Sequence, residues 1–404
     1  MIYIGIDIAK DKHDCHIVRE DGEILLDNYT FANNAKGFLS FYETVQHVRK
    51  RKEDVRIGLE YTGHYSQNLY NFLKENKLTV VALNPLTVNM YRKSRSLRNT
   101  KTDKSDARFI AEVTAETALD KRRHVLSDIQ TLKSLSRYRY RVMKTLQTMK
   151  NRYRRVLQIV FPEFETIFNV NYKTTVDLLI KYPSPKDVLK TDKESLIKSL
   201  DKLSHGHYGK KAEDLIEAAE TSIGRANAGD AFELKHLAKQ ISFLQDELDL
   251  LEERLASILT RLDTPILSIP GIGVSTGAAI LSEIGNIKNF KSSAKLLAFV
   301  GCEPTIYQSG KYLLTRTPMV KRGSRYLRNA VFQATKAAYI TDPIMRAYVD
   351  KKRAEGKHFF VALSHGMKKM VRIIFSILTS GKEYRPPIQL SGDDTTECEI
   401  CSAE

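Results

Sequence analysis

The chain has no tryptophan, few cysteines and no long apolar run. Its 404 residues include four cysteines, Cys15, Cys302, Cys398 and Cys401, which do not resemble the disulfide framework of a secreted protein. Cys398 and Cys401 form a lone CxxC pair, a weak metal signal without a second pair or nearby histidines. Because no run of about 18 apolar residues occurs, no segment is expected to span a bilayer. The opening residues, MIYIGIDIAKDK, lack the layout of a signal peptide.

Acidic residues are too few to balance the basic ones. The formal net charge is +16 and the pI is about 9.4, which indicates a polyanionic partner, most commonly nucleic acid. An anionic membrane surface is the rival partner. The segment 121–160 holds most of the excess, with twelve Lys or Arg and one Asp.

The first third of the sequence predicts an α/β fold. Short apolar runs indicate five strands, and helices are predicted at about 35–49 and 66–75. Asp21-Gly22 is a hairpin turn signal between the second and third strands. Three antiparallel strands followed by alternating helices and strands is the order of a ribonuclease-H-like fold. The five predicted strands are Tyr3–Ala9, His13–Arg19, Glu23–Thr30, Val55–Glu60 and Leu78–Leu83.

The middle of the chain predicts two long helices. The first, near residues 121–160, has one apolar stripe and a basic remainder. The second has an apolar stripe sustained for about four heptads, typical of a coiled coil. The two helices could pair antiparallel within one chain, or the second could pair between chains. The heptad positions of the second helix are Leu234, Leu237, Ile241, Leu244, Leu248, Leu251, Leu255, Ile258 and Leu262.

These patterns divide the chain into four parts. Residues 1–125 form the predicted α/β domain, and residues 126–263 form a basic coiled coil with a helical insertion at about 165–228. Residues 264–380 form a mostly helical third domain with its own glycine and proline punctuation. The acidic tail, 381–404, has a composition typical of disorder.

Four acidic residues are candidate metal ligands. Asp7 interrupts an apolar strand, where a charge is costly unless it is paired or bound to a cation. Glu60 ends the fourth predicted strand, which neighbours the first in a ribonuclease-H-like sheet. Asp103 and Asp106 project from one helix face at i and i+3. Carboxylate oxygens suit Mg²⁺, and two such ions can stabilise the attacking and leaving oxygens of phosphoryl transfer.

Each of these residues also has an ordinary explanation. The Asp103–Asp106 pair could cap a helix and lie in its solvated first turn. Glu60 could be a surface residue at a strand end. Asp7 is harder to explain in this way, and the order and placement of all four together favour a metal site.

Two glycine-containing turns resemble helix-hairpin-helix elements. In IPGIGVSTGAAILSEIG, Gly271 and Gly273 would let backbone N–H groups approach a phosphate next to a helix N-terminus. An ordinary helix–helix turn is the alternative. Residues 204–219, SHGHYGKKAEDLIEAA, form a weaker match of the same kind.

A serine and a basic cluster follow in the third domain. Ser309-Gly310 is by itself a turn signal, and a serine hydroxyl is a weak nucleophile unless it is activated. Arginine and lysine side chains nearby could hold a DNA backbone and stabilise charge on a pentavalent phosphate. The basic residues near Ser309 are Lys311, Arg316, Lys321, Arg322, Arg325 and Arg328.

The basic helix interleaves arginine with tyrosine in the run RYRYR, residues 137–141. Charge for phosphate and rings for stacking suit nucleic acid. A solvated coiled-coil face normally mixes charges of both signs, which this helix does not. The predicted nucleic-acid-binding residues of this helix are Arg137, Arg139, Arg141, Lys144, Arg152, Arg154 and Arg155.

These motifs together resemble the DEDD-type insertion-sequence transposases, also called bridge-RNA-guided recombinases, which include the Piv DNA invertases. The resemblance covers most of residues 1–380. It rests on GIDIAKDKHD, GLEYTGHY, KTDKSDARFIA, IPGIGVSTGAAILSEIG, GCEPTIYQSGK and KRGSRYLRNA.

The resemblance implies a fold, a chemistry and partners. It implies a RuvC-like domain in which Asp7, Glu60, Asp103 and Asp106 bind Mg²⁺, and a transposase domain whose nucleophile is Ser309, with Ser324 as the fallback. The serine would form a covalent phosphoserine link with DNA. A structured guide RNA would pair with target and donor DNA, and the assembly would be a dimer of dimers in the bacterial cytoplasm.

Two other functions are open on the residues. A Holliday-junction nuclease would use the same acidic site with water as the nucleophile and form no protein–DNA adduct. A non-catalytic RNA-binding protein would show a steep salt dependence of binding but no magnesium-dependent cleavage.

Overall fold

The computed structural model describes ten stretches of the chain: residues 1–49, 53–60, 65–83, 85–95, 103–116, 127–224, 227–303, 308–309, 312–313 and 319–386. The chain divides into two compact units, residues 1–123 and 124–404. Each unit is described by itself. No helix in the described stretches is long and apolar enough to cross a membrane.

The first unit is built on a mixed five-stranded sheet with the strand order β3-β2-β1-β4-β5. β1, β2 and β3 pair antiparallel, whereas β1, β4 and β5 pair parallel. The five predicted strands are all present, and the order is consistent with the predicted ribonuclease-H-like fold. The strands are β1 (Ile2–Ile8), β2 (Lys12–Arg19), β3 (Ile24–Ala32), β4 (Val55–Glu60) and β5 (Thr79–Leu83).

Four described helices accompany this sheet: α1 (Ala35–Val48), α2 (Tyr65–Glu75), α3 (Pro85–Arg95) and α4 (Asp103–Glu116). Asn34 caps α1, since its side chain accepts a hydrogen bond from the backbone N–H of Gly37 at 2.8 Å. The central strands supply the core, because their apolar residues, such as Ile4, Ile6 and Ile57, are fully buried.

Two glycines let α4 lie directly on the sheet. A Cβ atom on Gly5 of β1 would lie 2.0 Å from the carbonyl oxygen of Ala107 and 2.3 Å from the nitrogen of Ala111. A Cβ atom on Gly58 of β4 would lie 1.7 Å from Oγ1 of Thr114. Both strands therefore need glycine where the helix crosses them.

The second unit is organised around two long helices, α5 (Ser127–Val160) and α11 (Ala228–Leu262). They pair antiparallel within one chain, because Arg139 of α5 contacts Glu252 and Asp128 contacts Arg261. This is the first of the two pairings that the sequence allows, the one within a single chain. The apolar stripe of α11 is buried at Leu234, Leu237, Ile241, Leu251, Leu255 and Ile258.

A set of short helices fills the connection between α5 and α11, as the sequence predicts. It comprises α6 (Phe164–Ile167), α7 (Lys173–Lys181), α8 (Pro185–Leu189), α9 (Lys193–Ser204) and α10 (Ala212–Glu220), with a 3₁₀ turn at Gly209–Lys211. Their apolar residues share one core with the adjacent parts of α5 and α11. The insertion is therefore packed on the long helices.

The rest of the second unit is helical around a separate core. Its helices are α12 (Val274–Ile284), α13 (Ser293–Val300), α14 (Arg325–Thr341), α15 (Pro343–Ala354) and α16 (Phe359–Ser380), with 3₁₀ turns at Pro265–Ser268 and Ile287–Asn289. A two-stranded hairpin, β6 (Gln308–Ser309) and β7 (Tyr312–Leu313), lies between α13 and α14 in sequence.

Candidate functional site

Asp7 and Glu60 lie side by side at the C-terminal ends of two parallel strands. The register of β1 and β4 pairs Gly5 with Gly58 and Ile6 with Leu59, so the next residues along are Asp7 and Glu60. Because side chains alternate along a strand, Asp7 points to the same face as Gly5, the face that α4 covers. Both acidic residues are half-buried. The sheet therefore brings these two predicted ligands together.

Asp14 is a third acidic residue in the same row, and sequence reasoning missed it. The antiparallel register of β1 and β2 places Asp14 directly opposite Asp7, which puts both side chains on one face. Asp14 is 4% exposed. It accepts a hydrogen bond from Thr30 at 2.5 Å, and Lys12 lies 3.8 Å away. The position of the turn between β1 and β2 was the only sequence signal for this placement, because it fixes which residues of the two strands face each other.

Asp103 and Asp106 both fall in the first turn of α4. Asp106 is 7% exposed, and the guanidinium of Arg92 on α3 donates to its carboxylate at 3.1 Å. The positive charge of Arg92 therefore compensates the buried negative charge of Asp106, as a bound metal ion would. The side chain of Asp103 lies outside the described part of the structure.

Among the described side chains, no group of three or more His, Cys, Asp or Glu residues is arranged to hold a metal ion. The donor chemistry nevertheless fits magnesium, which prefers carboxylate oxygens. Asp7 and Glu60 lie at one edge of the sheet, and Asp103 and Asp106 belong to the helix that packs on it. The magnesium site stays a prediction.

Ser309 lies in a tight hairpin of the second unit. It pairs directly with Tyr312, and Gln308 pairs with Leu313, so two residues connect the strands. Those two residues, Gly310 and the predicted DNA contact Lys311, lie outside the described residues, as do Arg316 and the side chain of Ser309. A backbone position beside a two-residue turn is what the Ser-Gly signal predicts.

The fallback nucleophile, Ser324, has a structural role. Its hydroxyl donates to Oε2 of Glu283 at 2.9 Å and accepts the N–H of Leu327 at 3.2 Å, which caps α14. Because both contacts fix the hydroxyl, Ser309 remains the better candidate.

Arg137, predicted from its neighbours to bind nucleic acid, forms a bidentate ion pair inside the protein. Its Nε and Nη2 atoms lie 2.6 and 3.0 Å from the carboxylate oxygens of Glu283, whose side chain is 2% exposed. Burial raises the pKa of Glu283, but the hydrogen bond from Arg137, the charges of Lys133 and Arg137 and the hydrogen bond from Ser324 together bring it below its usual value.

The remaining predicted residues of α5 divide into two groups. Arg139 lies 3.2 Å from Glu252, and Arg154 donates to the side chain of Asn171. The other four are exposed on the helix surface and stay predicted nucleic-acid contacts. They are Arg141, Lys144, Arg152 and Arg155.

The two glycines of the predicted hairpin have different roles. Gly271 has a φ of +83°, and a Cβ atom there would lie 2.4 Å from the carbonyl oxygen of Ala334 on α14. Gly271 therefore serves helix packing, in addition to any phosphate contact. Gly273 faces open space within 4 Å of its Cβ position, and its N–H donates to Oγ1 of Thr276 at 2.9 Å.

In the weaker hairpin match at 204–219, the backbone N–H groups of the turn donate within the protein. The N–H of Gly209 donates to the carboxylate of Asp201 at 2.8 Å, and the N–H of Tyr208 donates to Oγ of Ser204 at 2.7 Å. A carboxylate of the protein occupies the place that the match would give to a phosphate.

The basic cluster before and within α14 also divides. Lys321, Arg322 and Arg325 are exposed. Arg328 instead donates to the backbone oxygens of Val300 at 3.1 Å and Lys321 at 3.3 Å, which ties α14 to the preceding loop.

Comparisons with known proteins agree with the order of these motifs. Residues 4–162 match the transposase family DEDD_Tnp_IS110, and residues 263–350 match the transposase family IS116/IS110/IS902. The chain is 26% identical over 398 residues to an uncharacterised 44.8 kDa protein of insertion element IS116 from Streptomyces clavuligerus, covering 95% of this chain and 96% of that protein. It is 23% identical over 384 residues to a pilin gene-inverting protein from Moraxella bovis, covering 95% and 97%. The chain therefore belongs to the IS110/IS116 family of insertion-sequence transposases and recombinases.

Proposed function

We propose that this protein is an RNA-guided, site-specific DNA recombinase of a bacterial insertion sequence that cuts and rejoins DNA through a covalent phosphoserine intermediate. The observation that carries the proposal is the register that sets Asp7 beside Glu60 under the helix that bears Asp103 and Asp106. A half-buried row of carboxylates is costly without a cation, and a bound metal ion would compensate that charge.

The reaction is a phosphoryl transfer. Magnesium, held by Asp7, Glu60, Asp103 and Asp106, would stabilise negative charge on the phosphate. The hydroxyl oxygen of Ser309 bonds to phosphorus and its proton passes to solvent. The bond between phosphorus and one sugar oxygen breaks, and that oxygen leaves as a hydroxyl after taking up a proton. Attack by a sugar hydroxyl of another strand on the phosphoserine reverses these steps and rejoins the DNA.

The nucleic-acid partners follow from charge and from the family. Exposed arginine and lysine side chains on α5 and before α14 suit the backbones of donor DNA, target DNA and a structured guide RNA. A dimer of dimers, in which one chain supplies the acidic site for the serine of another, is the assembly that the resemblance implies. In this proposal residues 1–125 hold the metal, 126–263 connect the sites and 264–380 carry the serine.

Trapping the covalent intermediate tests the proposal. The full chain is incubated with magnesium, element-end DNA and RNA from the noncoding flank, and protein–DNA adducts are resolved on a denaturing gel. We expect an adduct from the native chain and none from Ser309→Ala. Ser257→Ala is the matched control, because it removes an exposed hydroxyl on α11, outside both proposed sites, and should leave the adduct in place.

Two outcomes would contradict parts of the proposal. An adduct from Ser309→Ala would show that another residue is the nucleophile. Magnesium-dependent cleavage without any adduct would favour a nuclease that uses water. Omission of the RNA tests guidance separately, because an RNA-guided enzyme should then lose adduct formation on its specific site.

A further inference from the structure

The N-terminus of α14 and the middle of α5 together form a cluster of arginine and tyrosine side chains. We call it the α5–α14 cluster and define it as Tyr140, Arg325 and Tyr326. Nη2 of Arg325 donates to the hydroxyl of Tyr326 at 2.9 Å. The ring of Tyr140 meets the ring of Tyr326 edge-on, with centroids 5.1 Å apart and an 80° interplanar angle. The cluster is thus a contact between two helices of the same unit.

Positive charge converges on one phenol. The hydrogen bond from Arg325 lowers the pKa of Tyr326, partial burial opposes this, and the charges of Arg325, Arg137 and Arg141 lower it further, so the net direction is down. The charge of Arg137 is compensated by its ion pair with Glu283. Arg325 is exposed and its guanidinium binds this hydroxyl directly. Arg141 is also exposed, and its guanidinium carbon lies 5.8 Å from the ring centroid of Tyr138 on the same helix.

The geometry offers the hydroxyl of Tyr326 and not its ring. The guanidinium carbons of Arg137 and Arg325 lie 4.7 and 4.8 Å from the ring centroid, and Tyr140 covers an edge. A nucleic-acid base would have to displace these groups in order to stack. The hydroxyl, which accepts from Arg325, still has its own O–H to donate, and a guanidinium has five N–H donors. A group of donors with excess positive charge fits a ligand that is anionic and only accepts, such as a phosphodiester.

Contacts with α5 and with α12 hold the cluster in place. Arg137 contacts the ring of Tyr326 and pairs with buried Glu283, and Glu283 accepts the hydroxyl of Ser324, which caps α14. This chain of contacts fixes the first turn of α14 against α5. Arg325 and Tyr326 lie in that first turn, so their position relative to α5 is set before a ligand arrives.

We propose that Arg325 and the hydroxyl of Tyr326 bind one backbone phosphate of the DNA substrate, with Arg137, Glu283 and Ser324 as positioning residues. The inference rests on the proposed function in that it takes the ligand to be nucleic acid. It adds an uncharged residue, Tyr326, to the predicted binding surface. It also assigns Arg137 a positioning role instead of the direct nucleic-acid contact that the sequence predicts.

The test measures binding of the full chain to a fluorescein-labelled mixed-sequence DNA duplex across a series of KCl concentrations. Arg325→Gln removes one phosphate partner, so the slope of log K against log salt should become shallower by about 0.9. Tyr326→Phe removes a hydrogen bond without a charge, so affinity should fall about tenfold at every salt concentration with the slope unchanged. Arg254→Gln, which changes an exposed arginine of α11, should leave both quantities unchanged.

The outcomes are distinguishable from those of the adduct experiment. Native affinity of Tyr326→Phe at all salt concentrations, or a slope for Arg325→Gln equal to that of Arg254→Gln, would overturn the phosphate contact. Far-UV circular dichroism checks that each variant is folded, and Tyr326→Phe keeps the ring and its packing. Since equilibrium binding needs neither Ser309 nor strand exchange, loss of the adduct in the native chain would refute the recombinase chemistry and leave the phosphate contact standing.

Discussion

The ion pair between Arg137 and Glu283 should contribute far more to the free energy of unfolding than the more exposed ion pair between Arg139 and Glu252. The side chain of Glu283 is 2% exposed and that of Arg137 is 38% exposed. Removal of one partner of a buried pair costs about 3–5 kcal/mol. Because Arg137 is partly screened by solvent, we expect Arg137→Ala to cost less, about 2–3 kcal/mol.

Arg139 provides the matched control two residues along α5. Its partner Glu252 is 41% exposed and the closest atoms are 3.2 Å apart, so Arg139→Ala should cost at most about 1 kcal/mol. The measurement is urea unfolding of the full chain followed by far-UV circular dichroism, with a double-mutant cycle that adds Glu283→Gln or Glu252→Gln. Equal losses for the two arginine variants, or no coupling between Arg137 and Glu283, would refute the reasoning.

The same pair gives a pH dependence with a definite sign. The pKa of Glu283 is lower in the folded chain than its usual value. Its ion pair therefore contributes stability fully above the unfolded pKa of about 4.3, and the contribution is lost as the pH falls through the folded pKa. The difference in unfolding free energy between the native chain and Glu283→Gln should shrink as the pH is lowered through that window. A difference that is constant from neutral pH to pH 3 would contradict the lowered pKa.

Three further predictions concern the glycines and the metal. Gly5→Ala should destabilise the chain by about 3 kcal/mol or more in urea unfolding, because its Cβ would lie 2.0 Å from the backbone oxygen of Ala107; native stability would show that α4 can move away from the sheet. Gly271→Ala, with a φ of +83° and a carbonyl oxygen at 2.4 Å, should likewise cost about 1–3 kcal/mol, whereas Gly273→Ala should cost less than about 1 kcal/mol. The reverse order would refute the packing role of Gly271. Chelation with EDTA should abolish the Ser309 adduct, and added Mg²⁺ should restore it. The Asp7→Asn variant should form no adduct at any Mg²⁺ concentration. Full activity of Asp7→Asn would show that Asp7 is not a metal ligand.

Local patterns in the sequence predict most of the secondary structure correctly. The apolar runs of β1 and β4 are strands because buried parallel strands need apolar side chains on both faces. The heptad stripe of α11 is buried because helical residues three and four apart lie on one face. These signals depend only on neighbours in the chain, so a single sequence contains them.

Features that depend on register or on distant partners could not be predicted in this way. Asp14 faces Asp7 only because the turn between β1 and β2 is centred where it is. Arg137 meets Glu283 across 146 positions of sequence, and no local pattern records that partner. Gly271 resembles a phosphate-binding glycine in sequence, but the backbone of α14, more than sixty residues later, also requires it to be glycine.

The basic helix shows how the two kinds of information combine. Composition alone assigns every arginine of α5 to nucleic acid, yet the structure commits Arg137, Arg139 and Arg154 to protein partners. The four that remain exposed, Arg141, Lys144, Arg152 and Arg155, follow one another at spacings of three, eight and three. At about 100° per residue they fall within a stripe about 80° wide, and at about 1.5 Å per residue that stripe is about 21 Å long. Two pairs of charges on one narrow stripe suit a polyanion backbone. The protein partners of Arg137, Arg139 and Arg154 therefore narrow the predicted binding surface of α5 to this stripe.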